Sequence, residues 1–306
     1  MDASALDQLI IAMDPRAQAV LALALVIMMY AISLGLRVDH FAFLKSDPKH
    51  FFGGLAAQVI ALPAVTILLA TILQPPPSIA LGMIVVAACP GGNVSNFMSY
   101  AARGDTAYSV SLTAASSIIA ALWTPAAILL WSSLYPPTSE LLDTIEFNRA
   151  SFVLQTTLLL AAPLCAGMLT AWLRRDFAER MRKPLALFGA VLLAGVVIYG
   201  TIDFWPILVA GWALIMIPVI LHNAVAFGLG AGVGRLLGAS VARRRSLTIE
   251  VGIQNAGLAI VLLIAQLQGL GGAAAIAAVW GVWHLFSGGA MVSLYRYLDR
   301  RKAETL

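Results

Sequence analysis

Charge is what this chain lacks. Of its 306 residues, 19 are Lys or Arg and 15 are Asp or Glu, so charged side chains make up 11% of the sequence, less than half of the roughly 25% usual in a soluble globular domain. Cysteine is scarce as well: Cys89 and Cys165 are the two present, both inside apolar runs, where a thiol behaves as a small hydrophobe. They define no disulfide framework, and no Cys–His spacing suited to a transition metal occurs. The first sixteen residues, "MDASALDQLIIAMDPR", lack a basic n-region and an A-x-A-like cleavage site followed by polar sequence, so no cleaved signal peptide is expected. The formal net charge is +4, but the basic residues sit beside apolar runs instead of forming one stripe. With no recognition motif to accompany them, a nucleic-acid partner is not expected.

What the chain has is apolar length. Hydrophobic residues fill 60% of positions and the mean hydropathy is +0.89, the composition of an integral membrane protein in contact with a lipid bilayer. Runs long enough to cross a bilayer core of about 30 Å occur at approximately 17–36, 50–74, 79–102, 106–133, 149–173, 184–202, 206–236, 246–267 and 272–297. Nine transmembrane helices are therefore expected. The connections beginning at Arg37, Arg103, Arg174, Arg235 and Arg296 hold 17 of the 19 basic residues, and the alternate connections keep only Arg16 and Arg149. By the positive-inside rule the N-terminus lies outside and the C-terminus is cytoplasmic.

Two of these runs are interrupted. In the third, Pro90-Gly91-Gly92 cannot continue an ordinary helix, because proline removes a donor and clashes, and glycines weaken the turn. In the eighth, Glu250, Gln254 and Asn255 alternate with Gly252 and Gly257. Irregular backbone at membrane depth is viable where protein buries it or where it lines a wet cavity, and there it offers carbonyls and helix ends to ions. The two interrupted runs are five helices apart and so cross the bilayer in opposite directions, the pattern of an inverted-repeat transporter. A five-plus-five arrangement needs ten helices, and the first repeat lacks its opening one.

Glu250 is the one acidic residue well inside an expected span, and an ionised carboxylate there is costly unless paired or bound to a cation. A protonated carboxyl hydrogen-bonded between helices is the alternative. Ser109 and Thr113 are four residues apart and share a helix face, though either hydroxyl could instead bond its own i−4 carbonyl. With Ser95 and Asn96 they form an oxygen-rich set suited to a hard cation such as Na⁺. Gln58 suits an ion ligand and an interhelical hydrogen bond equally well. His222, like a typical lone intramembrane histidine, reads as a structural contact.

The segments "CPGGNVSNFMSYAARGDTAYSVSLTAASS" and "LTIEVGIQNAGLA" resemble the bile acid:sodium symporter family, including its bacterial members, and the likeness runs from about Ile27 to Leu294. The resemblance implies a core domain with two crossed, broken helices that moves against a panel domain in alternating access. On this chain, one transporter unit over 1–306, the panel falls at approximately 17–36 and 149–202 and the core at approximately 50–133 and 206–297. The resemblance implies two Na⁺ sites. The first maps onto Ser95, Asn96, Ser109, Thr113 and Glu250. The second maps onto Gln58, Glu250 and Gln254 with the carbonyls of Val251 and Ile253. It places the anion cavity near Asn93, Asn255 and His284; the family frequently has Thr at the position of Asn93, and Met at that of Ile253. Bacterial relatives commonly have ten helices, and the nine here match the animal carriers.

The expectation is thus a multi-pass protein of the cytoplasmic (inner) membrane, not an enzyme, that imports a small organic anion, bile acid-like, pantoate-like or a keto acid, together with Na⁺. The alternatives are a proton-coupled or sodium-independent carrier, a membrane-embedded enzyme and a non-transporting sensor.

Overall fold

The computed structural model describes residues 6–7, 15–41, 43–145, 148–267 and 269–304. Among these residues the regular structure is all helical, and an isolated antiparallel bridge pairs Gly91 with Gln254. Six helical segments among the described residues are long and apolar enough to cross a membrane: Arg16–Ser33, Pro48–Leu73, Thr106–Ser133, Arg149–Leu173, Trp212–Leu236 and Gly271–Lys302. The protein is a multi-pass membrane protein.

In chain order the main helices are α1 (Pro15–Ser33), α2 (Pro48–Ala56), α3 (Leu62–Leu73), α4 (Pro77–Ala88), α5 (Asn93–Ala101), α6 (Thr106–Ser133), α7 (Pro136–Thr144), α8 (Arg149–Leu173), α9 (Arg175–Ala210), α10 (Trp212–Leu236), α11 (Val241–Gly252), α12 (Ala256–Ala265) and α13 (Gly271–Glu304). Local sequence explains many of their ends. Asp47, Asp105, Asn148, Ser240 and Asn255 each accept a backbone N–H of the first turn, so the donors orphaned at a helix start are partly satisfied within the chain. Pro48, Pro77 and Pro136 occupy first-turn positions, where a missing N–H costs nothing.

The third and eighth apolar runs are broken, as their glycine and proline content requires. The third divides into α4 and α5 on either side of Cys89–Gly92, and the eighth into α11 and α12 on either side of Ile253–Asn255. At 1.5 Å per residue α4 and α12 span about 18 and 15 Å, half of a bilayer core. These two half-helices form the centre of the protein: every residue of α4 from Ser78 to Ala88 is buried, as is Leu258–Ile264 of α12. They pack on each other and on α13, while α1 lies against α8 and α9.

Two features depart from the sequence expectation. The sixth and seventh runs, expected at 184–202 and 206–236, are divided elsewhere, because α9 continues to Ala210 and the turn falls at Gly211. Helicity runs on past the end of the apolar run, because hydropathy marks depth in the bilayer more directly than it marks where backbone hydrogen bonding stops. The second run contains a π-turn at Ala57–Ala61 between α2 and α3. Pro63 cannot donate to the carbonyl of Val59, and the indole Nε1 of Trp123 on α6 donates to it instead at 3.4 Å. Wide turns of this kind are frequent where a side chain must be re-aimed at a functional site, and Gln58 lies in this one.

Helix contacts here depend on small residues. A Cβ added at Gly230 of α10 would lie 2.6 Å from the carbonyl oxygen of Leu247 and 2.8 Å from the Cα of Thr248 on α11, both backbone atoms that cannot rotate away. Gly230→Ala is therefore expected to destabilise the protein by about 1–3 kcal/mol through overpacking, read as a lower midpoint in thermal unfolding of purified protein. Gly228→Ala on the same helix meets nothing within 4 Å and is the matched control, expected to leave the midpoint unchanged or higher.

Candidate functional site

The two breaks meet. Cys89 and Gly92 are extended, with ψ of 155° and 156°, and the strand-like segment they bound crosses Ile253–Asn255. Asn255 N donates to Pro90 O at 2.9 Å, and Gly91 pairs with Gln254. Interrupting a helix in an apolar medium leaves carbonyls without donors, each a costly group if unpaired. Side chains from several helices supply the missing donors. Thr124 Oγ1 on α6 donates to Ala88 O at 2.8 Å, Gln58 Nε2 to Glu250 O at 3.2 Å, Gln254 Nε2 to Val251 O at 2.9 Å and Asn223 Nδ2 to Gly252 O at 2.8 Å. Asn223 is held in turn by the hydroxyl of Ser287 on α13.

Glu250 lies at the end of α11 with no exposure. Its Oε2 accepts from Ser95 Oγ at 2.6 Å and from Ser109 Oγ at 2.7 Å, and its Oε1 accepts from Thr113 Oγ1. Asn96 Oδ1 lies 2.9 Å from Ser109 Oγ and 3.2 Å from Thr113 Oγ1. The sequence-derived group Ser95, Asn96, Ser109, Thr113 and Glu250 is thereby one contiguous cluster, drawn from α5, α6 and α11. Thr113 also reaches the carbonyl of Ser109 one turn back, so for this residue back-bonding and a shared carboxylate coexist.

The cluster is short of hydrogens. A hydroxyl carries one, yet Ser95 faces two acceptors, Gly92 O and Glu250 Oε2. Ser109 faces Asn96 Oδ1 and Glu250 Oε2, and Thr113 faces those of Asn96, Glu250 and the Ser109 carbonyl. More oxygen lone pairs converge than there are protons to fill them. Beside this cluster, Gln58 Oε1 and Gln254 Oε1 are both buried without a hydrogen-bond partner, although the amide nitrogens of the same side chains are engaged. An unsatisfied buried acceptor costs about 1–3 kcal/mol. A Cβ at Gly91 would lie 2.5 Å from Glu250 Oε1 and 2.6 Å from Gln58 Nε2, so the backbone passes between carboxylate and amide where only glycine fits. Ligands for a hard cation, carboxylate, hydroxyl and amide oxygens, are what the residues present offer.

Of the remaining sequence-derived residues, Val251 and Ile253 are buried at the break, with Val251 O already accepting from Gln254. Asn93 opens α5 and is exposed, and Asn255 opens α12 with its Oδ1 capping Leu258 N at 3.0 Å. These two half-helix N-termini lie on either side of the crossing. α13 runs past it: a Cβ at Gly281 would be 3.0 Å from Ala256 Cβ, and one at Gly288 would be 2.9 Å from Ile253 Cδ1. His284 lies between those glycines, its ring 5.0 Å from that of Trp280, which is 6.0 Å from the His222 ring. His222 makes an interhelical contact of 2.9 Å with Thr66 Oγ1, as its structural reading required. Reading the sequence missed Thr124, Asn223 and Ser287. Their signal, a polar residue inside an apolar run, was present but did not say which orphaned carbonyl each would serve.

The comparison with known proteins points the same way. Residues 22–205 match the sequence signature described as "Sodium Bile acid symporter family". The chain is 32% identical to the uncharacterized sodium-dependent transporter YocS of Bacillus subtilis over 90% of its own length and 83% of that protein's. It is 30% identical to the probable chloroplastic sodium/metabolite cotransporter BASS1 of Arabidopsis thaliana over 89% of its length and 65% of that protein's. With the ileal sodium/bile acid cotransporter of Oryctolagus cuniculus it shares 25% identity over 78% of its length and 67% of that protein's. With two broken helices meeting at a buried carboxylate and likeness of this extent, the chain belongs to the sodium bile acid symporter family.

Proposed function

We propose that this protein is a sodium-coupled symporter that imports a small organic anion across the cytoplasmic membrane by alternating access. The observation that carries the reading is the excess of buried oxygen around Glu250, which a cation satisfies. A proton-coupled carrier is the second reading, because one proton on Glu250 would also relieve part of the deficit. It would leave Gln58 Oε1 and Gln254 Oε1 without a partner, however, since one proton on Glu250 is a single donor and more than one acceptor is left unfilled. A cation serves both groups, so sodium is the better account.

In this proposal one Na⁺ is held by Ser95, Asn96, Ser109, Thr113 and Glu250, and a second by Gln58, Glu250 and Gln254 with the carbonyls of Val251 and Ile253. The anion binds near Asn93, Asn255 and His284, where the N-termini of α5 and α12 present a partial positive charge. The panel comprises α1, α8 and α9, and the core the rest, an assignment supported by the packing of α1 on α8 and α9 and by the absence of panel residues from the described Glu250 contacts. Nine crossings with an outside N-terminus and cytoplasmic C-terminus complete the proposal, with α4–α5 and α11–α12 as corresponding members of an inverted repeat. Ion and anion binding are then reciprocally linked, each raising the affinity for the other. The names of the relatives, sodium/metabolite and sodium/bile acid cotransporters, support the substrate class.

Two experiments test this. In purified protein, sodium added at constant ionic strength against choline should raise the unfolding midpoint, as any ligand of the folded state does. Glu250→Gln, which keeps size and one carbonyl, should raise the sodium concentration for half-effect by at least about tenfold, the loss of one charge-assisted contact. Stabilisation by sodium that is undiminished in Glu250→Gln would remove the ion assignment, and anion uptake driven by a pH gradient in choline medium would favour the proton reading.

Asn255→Asp separates the anion site from the fold. Asp caps a helix start as well as Asn does, so stability and sodium binding should hold. The added negative charge should depress affinity for the anion strongly. An anion affinity equal to that of the unaltered protein would place the substrate elsewhere.

A further inference from the structure

α6 and α11, which carry proposed ion ligands, and α2, which leads into the π-turn of Gln58, converge a second time, at their N-terminal ends, on a single guanidinium. Arg243 of α11 donates through Nη1 to Asp47 Oδ2 and through Nε to Asp105 Oδ2 at 3.1 Å. Asp47 is the N-cap of α2, where its Oδ1 lies 2.7 Å from His50 Nδ1. Asp105 is the N-cap of α6, with Oδ1 accepting from Tyr108 N at 3.0 Å. The rings of Phe43 and Tyr108 lie 5.4 and 5.9 Å from the guanidinium carbon. The Tyr108 hydroxyl donates to His50 O at 2.7 Å, so α2 and α6 are also joined directly. The hydrogen bond from His50 holds the Asp47 carboxyl below its ordinary pKa, so it is ionised opposite Arg243.

Register connects this clamp to the ion cluster. On α11, Arg243, Ser246 and Glu250 are spaced i, i+3, i+7 and share one face. On α6, Asp105, Ser109 and Thr113 are spaced i, i+4, i+8 and share another. The two stripes pair in order: Arg243 with the Asp105 carboxylate, Ser246 Oγ with Asp105 O at 2.9 Å, and Glu250 with Ser109 and Thr113. Glu250 is seven residues above Arg243, about 10 Å along a helix, and Gln58 is eleven residues, close to three turns, above Asp47. We infer that Arg243 is a positioning residue for sodium: by bridging the N-caps of α2 and α6 it fixes the height at which Glu250 meets Ser109, Thr113 and Gln58. Arginine suits the task, because its planar fork reaches two carboxylates at once and a lysine ammonium does not do so in a fixed geometry.

The inference rests on the sodium reading above and is tested so that the two can fail separately. Sodium alone is the probe, titrated against choline at constant ionic strength in thermal unfolding of the full-length protein. Arg243→Gln should raise the sodium concentration for half-maximal stabilisation roughly tenfold, within the usual range of coupling between sites, and Arg243→Lys should fall between it and the unaltered protein. Should Arg243→Gln not fold, Asp47→Asn decides, since it keeps the helix cap and removes one arm of the bridge; a rise of the half-point is expected there too. A lower sodium-free midpoint with an unchanged sodium half-point, in Arg243→Gln where it folds or otherwise in Asp47→Asn, would make the clamp merely structural and overturn the inference. If Glu250→Gln also leaves the half-point unchanged, the sodium site itself is what fails.

Discussion

A carboxylate with no solvent exposure sets the terms for everything near it. Glu250 sits where water does not reach, and neither ionised nor neutral can such a group be left without partners. The three hydroxyls around it, from α5 and α6, can be there only if those helices approach α11 closely. That approach is possible because the chain is narrowed to Gly91 at the point where α4 gives way to α5. The break in α11 is tied to the same requirement. An unbroken helix would occupy its last carbonyls internally, whereas the broken one hands Glu250 O, Val251 O and Gly252 O to Gln58, Gln254 and Asn223. The polar side chains of the core are thus divided between satisfying backbone and surrounding a charge. The two Gln residues have the nitrogen on backbone and the oxygen buried without a partner.

Much of this was legible in the sequence, and the reason differs from part to part. The breaks at Pro90-Gly91-Gly92 and at Gly252 were readable because they depend on local backbone chemistry that proline and glycine announce. The pairing of Ser109 with Thr113 was readable because four residues make one helical turn. That both would converge on Glu250 was implied by the resemblance to the symporter family, not by spacing. What could not be read was anything decided between distant helices. Trp123 answering the carbonyl freed by Pro63 is a contact across 64 positions, and Asn223 reaching Gly252 depends on how α10 crosses α11. The boundary between α9 and α10 was misjudged because it was drawn where the apolar run ends, while the helix continues to Ala210.

The membership of the sodium bile acid symporter family and the oxygen-rich centre are independent observations. Likeness of about 30% to transporters from a bacterium and a plant carries the broad activity. The geometry adds what likeness cannot: an accounting of protons and lone pairs that favours a cation over a proton. It also shows why amides, and not further carboxylates, surround Glu250. A second charge at that depth would have to be paid for again in desolvation, while an amide oxygen offers a ligand and an amide nitrogen mends the backbone with a single side chain.

The crossing of the two breaks has a mechanical consequence. Its carbonyls are gripped by side chains from the π-turn between α2 and α3, from α6 and α10, and by Gln254 of the break itself, and its two segments are tied by Asn255 N to Pro90 O. A relative sliding of these segments would break several buried hydrogen bonds together in a medium that offers no replacements. The centre of the protein is therefore held by bonds that can be given up only together, unlike a seam closed by apolar contact, where one surface can slip over another without stranding a polar atom.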